Sequence, residues 1–105
     1  MEMIVECICI NNENRPEVIP INKWLKKGNA YTIIFTVLVL PQRQIGVHLS
    51  EIEFTEKELP YEYFLLSRFA FTKENFLLLN ELIKECTDTD FSMEELLKQT
   101  ELQEV

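Results

Sequence analysis

Hydrophobic and polar residues alternate in short runs along the first two thirds of the chain, whereas the last third repeats them at helical spacing. Alternation places successive side chains on opposite faces of a strand, and a spacing of three and four residues gathers them on one side of a helix. The pattern therefore predicts an α+β domain, with a β-rich unit over residues 1–71 and a helical extension over residues 72–105.

Three of the strands predicted in the β-rich unit cover residues 2–10, 30–40 and 45–54. The second has β-branched residues on both faces, which favours a strand. One of its faces is predicted to be apolar without a break, and its members are Tyr31, Ile33, Phe35, Val37 and Val39. In the third strand the alternation changes phase, and a β-bulge near Ser50 and Glu51 is expected because a plain strand would bury charges there.

Turn-forming residues mark the connections between these strands. Pro20 is expected to open a single helical turn that runs through Trp24, and Gly28 to supply the positive φ that ends this turn. The rest of the unit is predicted to comprise a turn over 41–44, a polar loop over 55–60, a helical turn over 61–64 and a short strand over 68–71.

The extension carries the signals of two helices. Thr72 is a suitable N-cap for a helix over residues 73–86, whose apolar stripe includes Phe76, Leu79, Ile83 and Cys86. Ser92 and Glu95 have the spacing of a capping box, which predicts a second, shorter helix. Because the stripe of the first helix is wide and apolar, the extension is expected to pack on the β-rich unit or on a partner.

The charge balance restricts the class of partner. The chain has 10 Lys and Arg against 18 Asp and Glu, a net charge of −8, which opposes attraction to phosphate backbones and to anionic lipid. Direct binding of nucleic acid is therefore not expected. Residues 71–105 hold nine of the acids and three of the bases, so the acidic character is concentrated in the extension.

The same sequence gives an expectation about location. The longest apolar run, residues 33–40, is far shorter than the roughly 20 residues of a membrane-spanning helix. Glu2 stands where a signal peptide has basic residues, and Glu6 interrupts the apolar run that follows. Three cysteines, an odd number without an export signal, indicate reduced thiols. We therefore expect a cytoplasmic protein that does not enter a membrane.

Two segments of the chain resemble a known group of proteins. They are Pro16-x-x-Ile19-Pro20-x-x-x-Trp24-Leu25-Lys26-Lys27-Gly28-x-x-Tyr31-Thr32-Ile33 and Tyr63-Phe64-x-x-Ser67-Arg68-Phe69. Over about residues 4–71 the chain resembles uncharacterised small proteins of phages and bacteria, Bacteroides-like ones especially, which are Src-homology-three-like β-barrels. The resemblance implies a small antiparallel barrel over residues 1–71 in a phage- or mobile-element-like protein, and implies almost nothing about activity. The extension departs from the basic pattern of the group.

Few residues are suited to catalysis or to metal binding. His48 is the only histidine, and no glycine-rich elbow accompanies it, although a general base needs a nucleophile and an orienting group. Cys7 and Cys9 lie two residues apart on a strand, and with Cys86 they lack the paired spacing of zinc ligands. The chain is therefore predicted not to be an enzyme, with no catalytic residue, metal or cofactor.

Four aromatic residues are candidates for binding a partner protein: Trp24, Tyr31, Tyr61 and Tyr63. In Src-homology-three-like barrels, aromatic side chains beside the long first connection can line a groove for proline-rich peptides. The acidic residues that could select a basic ligand there are Glu13, Glu17 and Glu62. In the alternative interpretation, Trp24 plugs an open end of the barrel and Tyr31 belongs to the core.

The first helix of the extension offers a second candidate surface, formed by Phe76, Leu79 and Ile83. A small barrel has little outer surface to cover such a stripe, so part of it is expected at a homodimer interface. The sequence thus predicts a non-enzymatic protein-interaction module. The alternative function is an acidic inhibitor whose carboxylates mimic nucleic acid and block a basic site on a host or competitor protein.

Overall fold

A six-stranded sheet and two α-helices make up residues 3–103, the part of the chain that the computed structural model describes. The strands are β1 (Val5–Cys9), β2 (Ala30–Val39), β3 (Gln44–Leu49), β4 (Phe64–Leu65), β5 (Phe69–Phe71) and β6 (Glu101–Leu102). The helices are α1 (Lys73–Thr87) and α2 (Met93–Leu97). Three short 3₁₀ turns cover Ile21–Lys23, Glu56–Glu58 and Leu66–Arg68. None of these helices is long and apolar enough to cross a bilayer, as far as the chain is described.

The strands form one mostly antiparallel sheet in the order β4-β3-β2-β1-β5-β6. The one parallel pair is β5 with β6, where Phe71 lies opposite Leu102. The predicted α+β class is confirmed. The sheet stays open, with β4 and β6 as its edges in the described residues, so closure into the expected barrel is not seen.

A β-bulge lies in β2. Because of it, the prediction that one face of this strand is apolar without a break is wrong. Ile33 pairs with Leu49 and Phe35 with His48, which leaves Ile34 as one extra residue in the strand. The extra residue exchanges the two faces beyond it. Thr36 is therefore fully buried, while Phe35, which was expected on the core face, is 45% exposed.

The strand predicted over 45–54 is wrong beyond Leu49, where β3 ends. The chain leaves the sheet there instead of continuing through a bulge. Ser50 donates its N–H to the carbonyl oxygen of Thr32 (2.9 Å), and a carboxylate oxygen of Glu51 accepts from the N–H of Thr32 (2.9 Å). Ile52 and Phe54 still pack against the core, which accounts for the change of phase in the sequence.

The helical turn predicted over 61–64 is also wrong, because Phe64 belongs to β4 and the turn lies at Leu66–Arg68. The ring of Phe64 fills the core between Trp24, Phe54 and Phe69, with ring centroids 4.9–6.4 Å apart. An extended backbone at β4 allows this, since alternate side chains then face the core. The short strand expected over 68–71 is confirmed as β5.

Most local signals elsewhere are confirmed. The turn opened by Pro20 is a 3₁₀ turn that ends at Trp24. Gly28 has the expected positive φ, +91°, but the prediction that it ends this turn is wrong, because it lies in a separate turn in which Asn29 donates its N–H to the carbonyl oxygen of Lys26 (3.1 Å). Thr72 caps α1 by accepting from the N–H of Asn75 (3.3 Å). Ser92 and Glu95 form the predicted capping box of α2.

Helix α1 packs on the same face of the sheet that carries the core. Its buried residues Phe76, Leu79 and Ile83 belong to one apolar cluster with residues of β1, β2 and β3. The side-chain oxygen of Asn75 also accepts from the N–H of Glu6 (3.0 Å), which ties the start of the helix to β1. The extension thus lies on the sheet of its own chain.

The C-terminal part of the extension contacts the turn between β2 and β3. Gln99 accepts from the N–H of Ile45 (2.8 Å) and donates to the carbonyl oxygen of Arg43 (3.0 Å). The guanidinium of Arg43 lies 4.6 Å from the ring centroid of Phe91, within range of a cation–π contact. These contacts fix α2 and its flanks against β3.

Candidate functional site

A groove opens where the long connection between β1 and β2 meets the segment that leads into β4. It encloses about 500 Å³. We call it the aromatic groove, and its principal lining residues are Pro16, Trp24, Pro60, Tyr61, Tyr63 and Phe64. Three of the four aromatic candidates thus come together from segments far apart in sequence.

Trp24 is held firmly in one wall of this groove. Its indole N–H donates to the carbonyl oxygen of Asn12 (2.6 Å), and its ring lies 5.6 Å from that of Phe64. The guanidinium of Arg68 stands 4.9 Å from the ring centroid, which adds a cation–π contact. The ring is only half-buried, so part of it lines the groove.

Arg68 fastens the long connection to the end of the third 3₁₀ turn. It donates to the carbonyl oxygens of Asn11 (3.3 Å) and Glu13 (2.9 Å). Burial lowers the pKa of its guanidinium, although an arginine stays charged throughout the usual pH range. The wall that contains Trp24 is therefore fixed before any ligand arrives.

Tyr61 and Tyr63 form the opposite wall. Tyr61 is 41% exposed. Tyr63 lies directly over the backbone of Gly46 in β3, since a Cβ at that position would stand 2.8 Å from Cγ of the ring. Sequence reasoning missed this contact, although a glycine inside a strand signals a close approach.

An ion pair joins the two loops that flank the aromatic groove. Nζ of Lys23 lies 2.8 Å from a carboxylate oxygen of Glu58, and the same oxygen accepts from the N–H (2.7 Å) and hydroxyl (3.0 Å) of Thr55. Thr55 and Glu58 form a capping box around the second 3₁₀ turn. Glu58 is 3% exposed, and the hydrogen bond from Lys23, followed by that from Thr55, lowers its pKa to about 2.

We expect Glu58→Gln to change the pH dependence of stability. Because the folded protein lowers this pKa from 4.5 to about 2, the carboxylate stabilises the fold fully above pH 4.5 and loses that effect as the pH falls toward 2. The difference in free energy of unfolding between wild type and Glu58→Gln should therefore shrink over this range. Urea denaturation at a series of pH values measures it.

Lys23→Gln serves as the matched control for that prediction. It removes the largest cause of the lowered pKa, so the pH range over which Glu58 stabilises the protein should narrow. A difference between wild type and Glu58→Gln that stays constant across the acidic range would show that this carboxylate is not stabilised by its partners.

A second groove lies beyond Tyr61 and Tyr63, along β2, β3 and the segment that follows β3. It encloses about 1040 Å³, and we call it the acidic groove. Its apolar lining includes Val37, Val39, Ile52 and Leu59, and its carboxylates are Glu53, Glu56 and Glu62. Its lining, within the described residues, includes no lysine or arginine.

The remaining predicted partner-binding residues lie apart from both grooves. Tyr31 is 7% exposed, and its hydroxyl accepts from the N–H of Lys26 (2.8 Å). Phe76, Leu79 and Ile83 are at most 1% exposed. Contact with a partner through these four stays a prediction and would require α1 or the core to open. Among the predicted acidic residues Glu62 lines the grooves, whereas Glu13 and Glu17 do not.

The residues considered for catalysis or metal binding are dispersed. His48 stacks edge-on against Phe35 with centroids 5.8 Å apart. Cys7 and Cys9 are buried free thiols, and burial raises the pKa of Cys7 to about 12 and that of Cys9 above its ordinary value. In residues 3–103, no three His, Cys, Asp or Glu side chains are grouped to hold a metal.

Both grooves present concave, partly apolar surface. Comparison with family models, with curated proteins and with solved structures found no match to the chain.

Proposed function

We propose that this chain is a non-enzymatic interaction module that binds an extended segment of a partner protein in the aromatic groove. The observation that carries the proposal is the meeting of Trp24, Tyr61 and Tyr63 in one groove. Aromatic faces set side by side accept proline-rich or otherwise extended segments, because such segments lose little conformational entropy on binding.

The rigidity of the groove supports this proposal. Its Trp24 wall is anchored by Asn12 and Arg68, and the Lys23–Glu58 pair joins the two loops that flank it. A groove that is already in its binding conformation avoids the cost of ordering loops on association. Its volume of about 500 Å³ suits a few side chains of a bound segment.

A Src-homology-three-like architecture and a cytoplasmic location belong to the same proposal. The antiparallel order β4-β3-β2-β1-β5, the long connection after β1 and the 3₁₀ turn between β4 and β5 support that architecture. Three free thiols support a reducing compartment. The resemblance to phage and bacterial barrel proteins fits this reading.

A selection from a random dodecapeptide library tests the proposal. Trp24 is the only tryptophan, so its fluorescence reports directly on the groove. We expect selected peptides to change that fluorescence and to bind Tyr61→Ala at least about tenfold more weakly, because a buried aromatic contact contributes about 2 kcal/mol or more at an interface. Fluorescence anisotropy of the labelled peptide measures the affinity.

Leu40→Ala is the matched control, since Leu40 is 66% exposed and lies outside both grooves. Its affinity for the peptide should equal that of wild type. Failure to select any peptide, or a selected peptide that binds wild type and Tyr61→Ala alike, would overturn the proposal.

The acidic inhibitor remains a second proposal, favoured by one observation. Glu74, Glu81 and Glu85 are exposed on α1 at spacings of seven and four residues, which places them along one stripe. A basic protein bound through this stripe would dissociate from the variant Glu74→Lys/Glu81→Lys/Glu85→Lys. A peptide that binds in the aromatic groove would still bind that variant, and its affinity would still fall when Tyr61 is replaced by alanine.

A further inference from the structure

We infer that the segment bound in the aromatic groove continues into the acidic groove and places lysine or arginine residues there. This inference rests on the proposed function. The expected partner is a protein with a short, extended segment in which cationic residues flank apolar ones.

The two grooves are continuous across one shared wall. Tyr61, Glu62 and Tyr63 line both of them, as do the rings of Phe54 and Phe64. Tyr61 is 41% exposed at this boundary. A segment that packs on Tyr61 from the side of Trp24 therefore has its next residues over the face of β2 and β3.

The charges around the acidic groove select a cationic occupant. Glu53, Glu56 and Glu62 are exposed, and none of them forms a salt bridge within residues 3–103. No lysine or arginine is among the described residues that line this groove. Three carboxylates without internal partners attract positive charge and oppose an acidic segment.

The apolar part of the lining fits the stems of long basic side chains. Val37, Val39, Ile52 and Leu59 lie within the same groove as the carboxylates. Lysine and arginine can lay their methylene groups on such residues while their charged ends reach the acidic rim. A segment that combines apolar and basic residues would satisfy both parts of the groove.

Other occupants fit less well. A second copy of this chain carries the same net charge of −8, and nucleic acid and anionic lipid are negative too, so all three are repelled by the rim. The volume of about 1040 Å³ is at the upper limit of the roughly 300–1000 Å³ that small-molecule sites enclose. A cationic peptide segment is the occupant that charge and size favour together.

The test uses the selected dodecapeptide and two double variants of the full chain. Glu53→Gln/Glu56→Gln removes two charges from the acidic groove, and Glu74→Gln/Glu81→Gln removes two from the exposed face of α1. We expect the peptide to contain lysine or arginine. It should bind the first variant about fivefold more weakly, because the loss of two exposed ion pairs lowers affinity by about that factor. Its affinity for the second should stay within about twofold of wild type, since more distant charges are screened.

Affinities measured at low and high salt complete the test. The salt dependence of binding should decrease for Glu53→Gln/Glu56→Gln and stay unchanged for the α1 control. Peptides without basic residues, or equal effects of the two double variants, would overturn the inference. In that case the proposed function stands if Tyr61→Ala still weakens binding, and it falls together with the inference if Tyr61→Ala has no effect.

Discussion

Phe76→Ala is expected to lower the free energy of unfolding by about 3–5 kcal/mol, the usual cost of removing a buried phenylalanine ring. The ring is 1% exposed and belongs to the same apolar cluster as Val5 and Ile33 in the sheet. A loss of this size is a large part of the roughly 5–15 kcal/mol that stabilises a typical domain. Urea denaturation followed by far-UV circular dichroism measures it.

Leu77→Ala provides the control on the same helix. Leu77 is 49% exposed, and its truncation should change the free energy of unfolding by no more than about 0.5 kcal/mol. Equal and small effects at the two positions would mean that α1 does not pack on the sheet of its own chain. The apolar stripe would then be available to another molecule.

Gly46→Ala is expected to destabilise the protein by about 1–3 kcal/mol, the typical cost of forcing an extra methyl group into a packed site. The new Cβ would stand 2.8 Å from Cγ of Tyr63 and 2.9 Å from Cγ2 of Val37. The ring of Tyr63 would have to move, and this ring lines both grooves. Peptide affinity should therefore fall together with stability.

A double-mutant cycle with Tyr63→Ala isolates that contact. In the Tyr63→Ala background the ring is absent, so Gly46→Ala should cost less than it does in wild type. Additive effects would show that Tyr63 does not rest on Gly46. Urea denaturation of the four proteins provides the comparison.

The helical extension could be predicted in detail because its signals are local. The cap at Thr72 and the capping box of Ser92 with Glu95 each depend on atoms within three residues of one another. The start of each helix is therefore visible in the sequence alone. The parallel strand β6 and the contacts of Gln99 with the turn before β3 depend on residues more than 30 positions away, and the sequence does not indicate them.

The bulge in β2 shows why strand faces were harder to predict. Both faces of this strand are apolar, so the alternation does not reveal where the two faces exchange. The exchange at Ile34 is set by pairing with Leu49 and His48 of β3. It places Thr36 in the core and exposes Phe35, a result that no local preference indicates.

The candidate site was predicted only in part. Trp24, Tyr61 and Tyr63 were named from the sequence, and the structure places them in one groove. The glycine at 46 and the Thr55–Glu58 capping box carried local signals that sequence reasoning did not use. The pairing of Lys23 with Glu58 spans 35 positions, so it could be found only from the fold.

Chemical-shift mapping by NMR tests the central claim most directly. The ¹⁵N-labelled chain is titrated with the selected dodecapeptide, and the indole N–H of Trp24 is resolved because there is only one tryptophan. The account predicts that the largest shifts fall on that indole and on the amides of Tyr61, Glu62 and Tyr63. Largest shifts on the exposed face of α1, around Glu81 and Lys84, with the Trp24 indole unmoved, would contradict it.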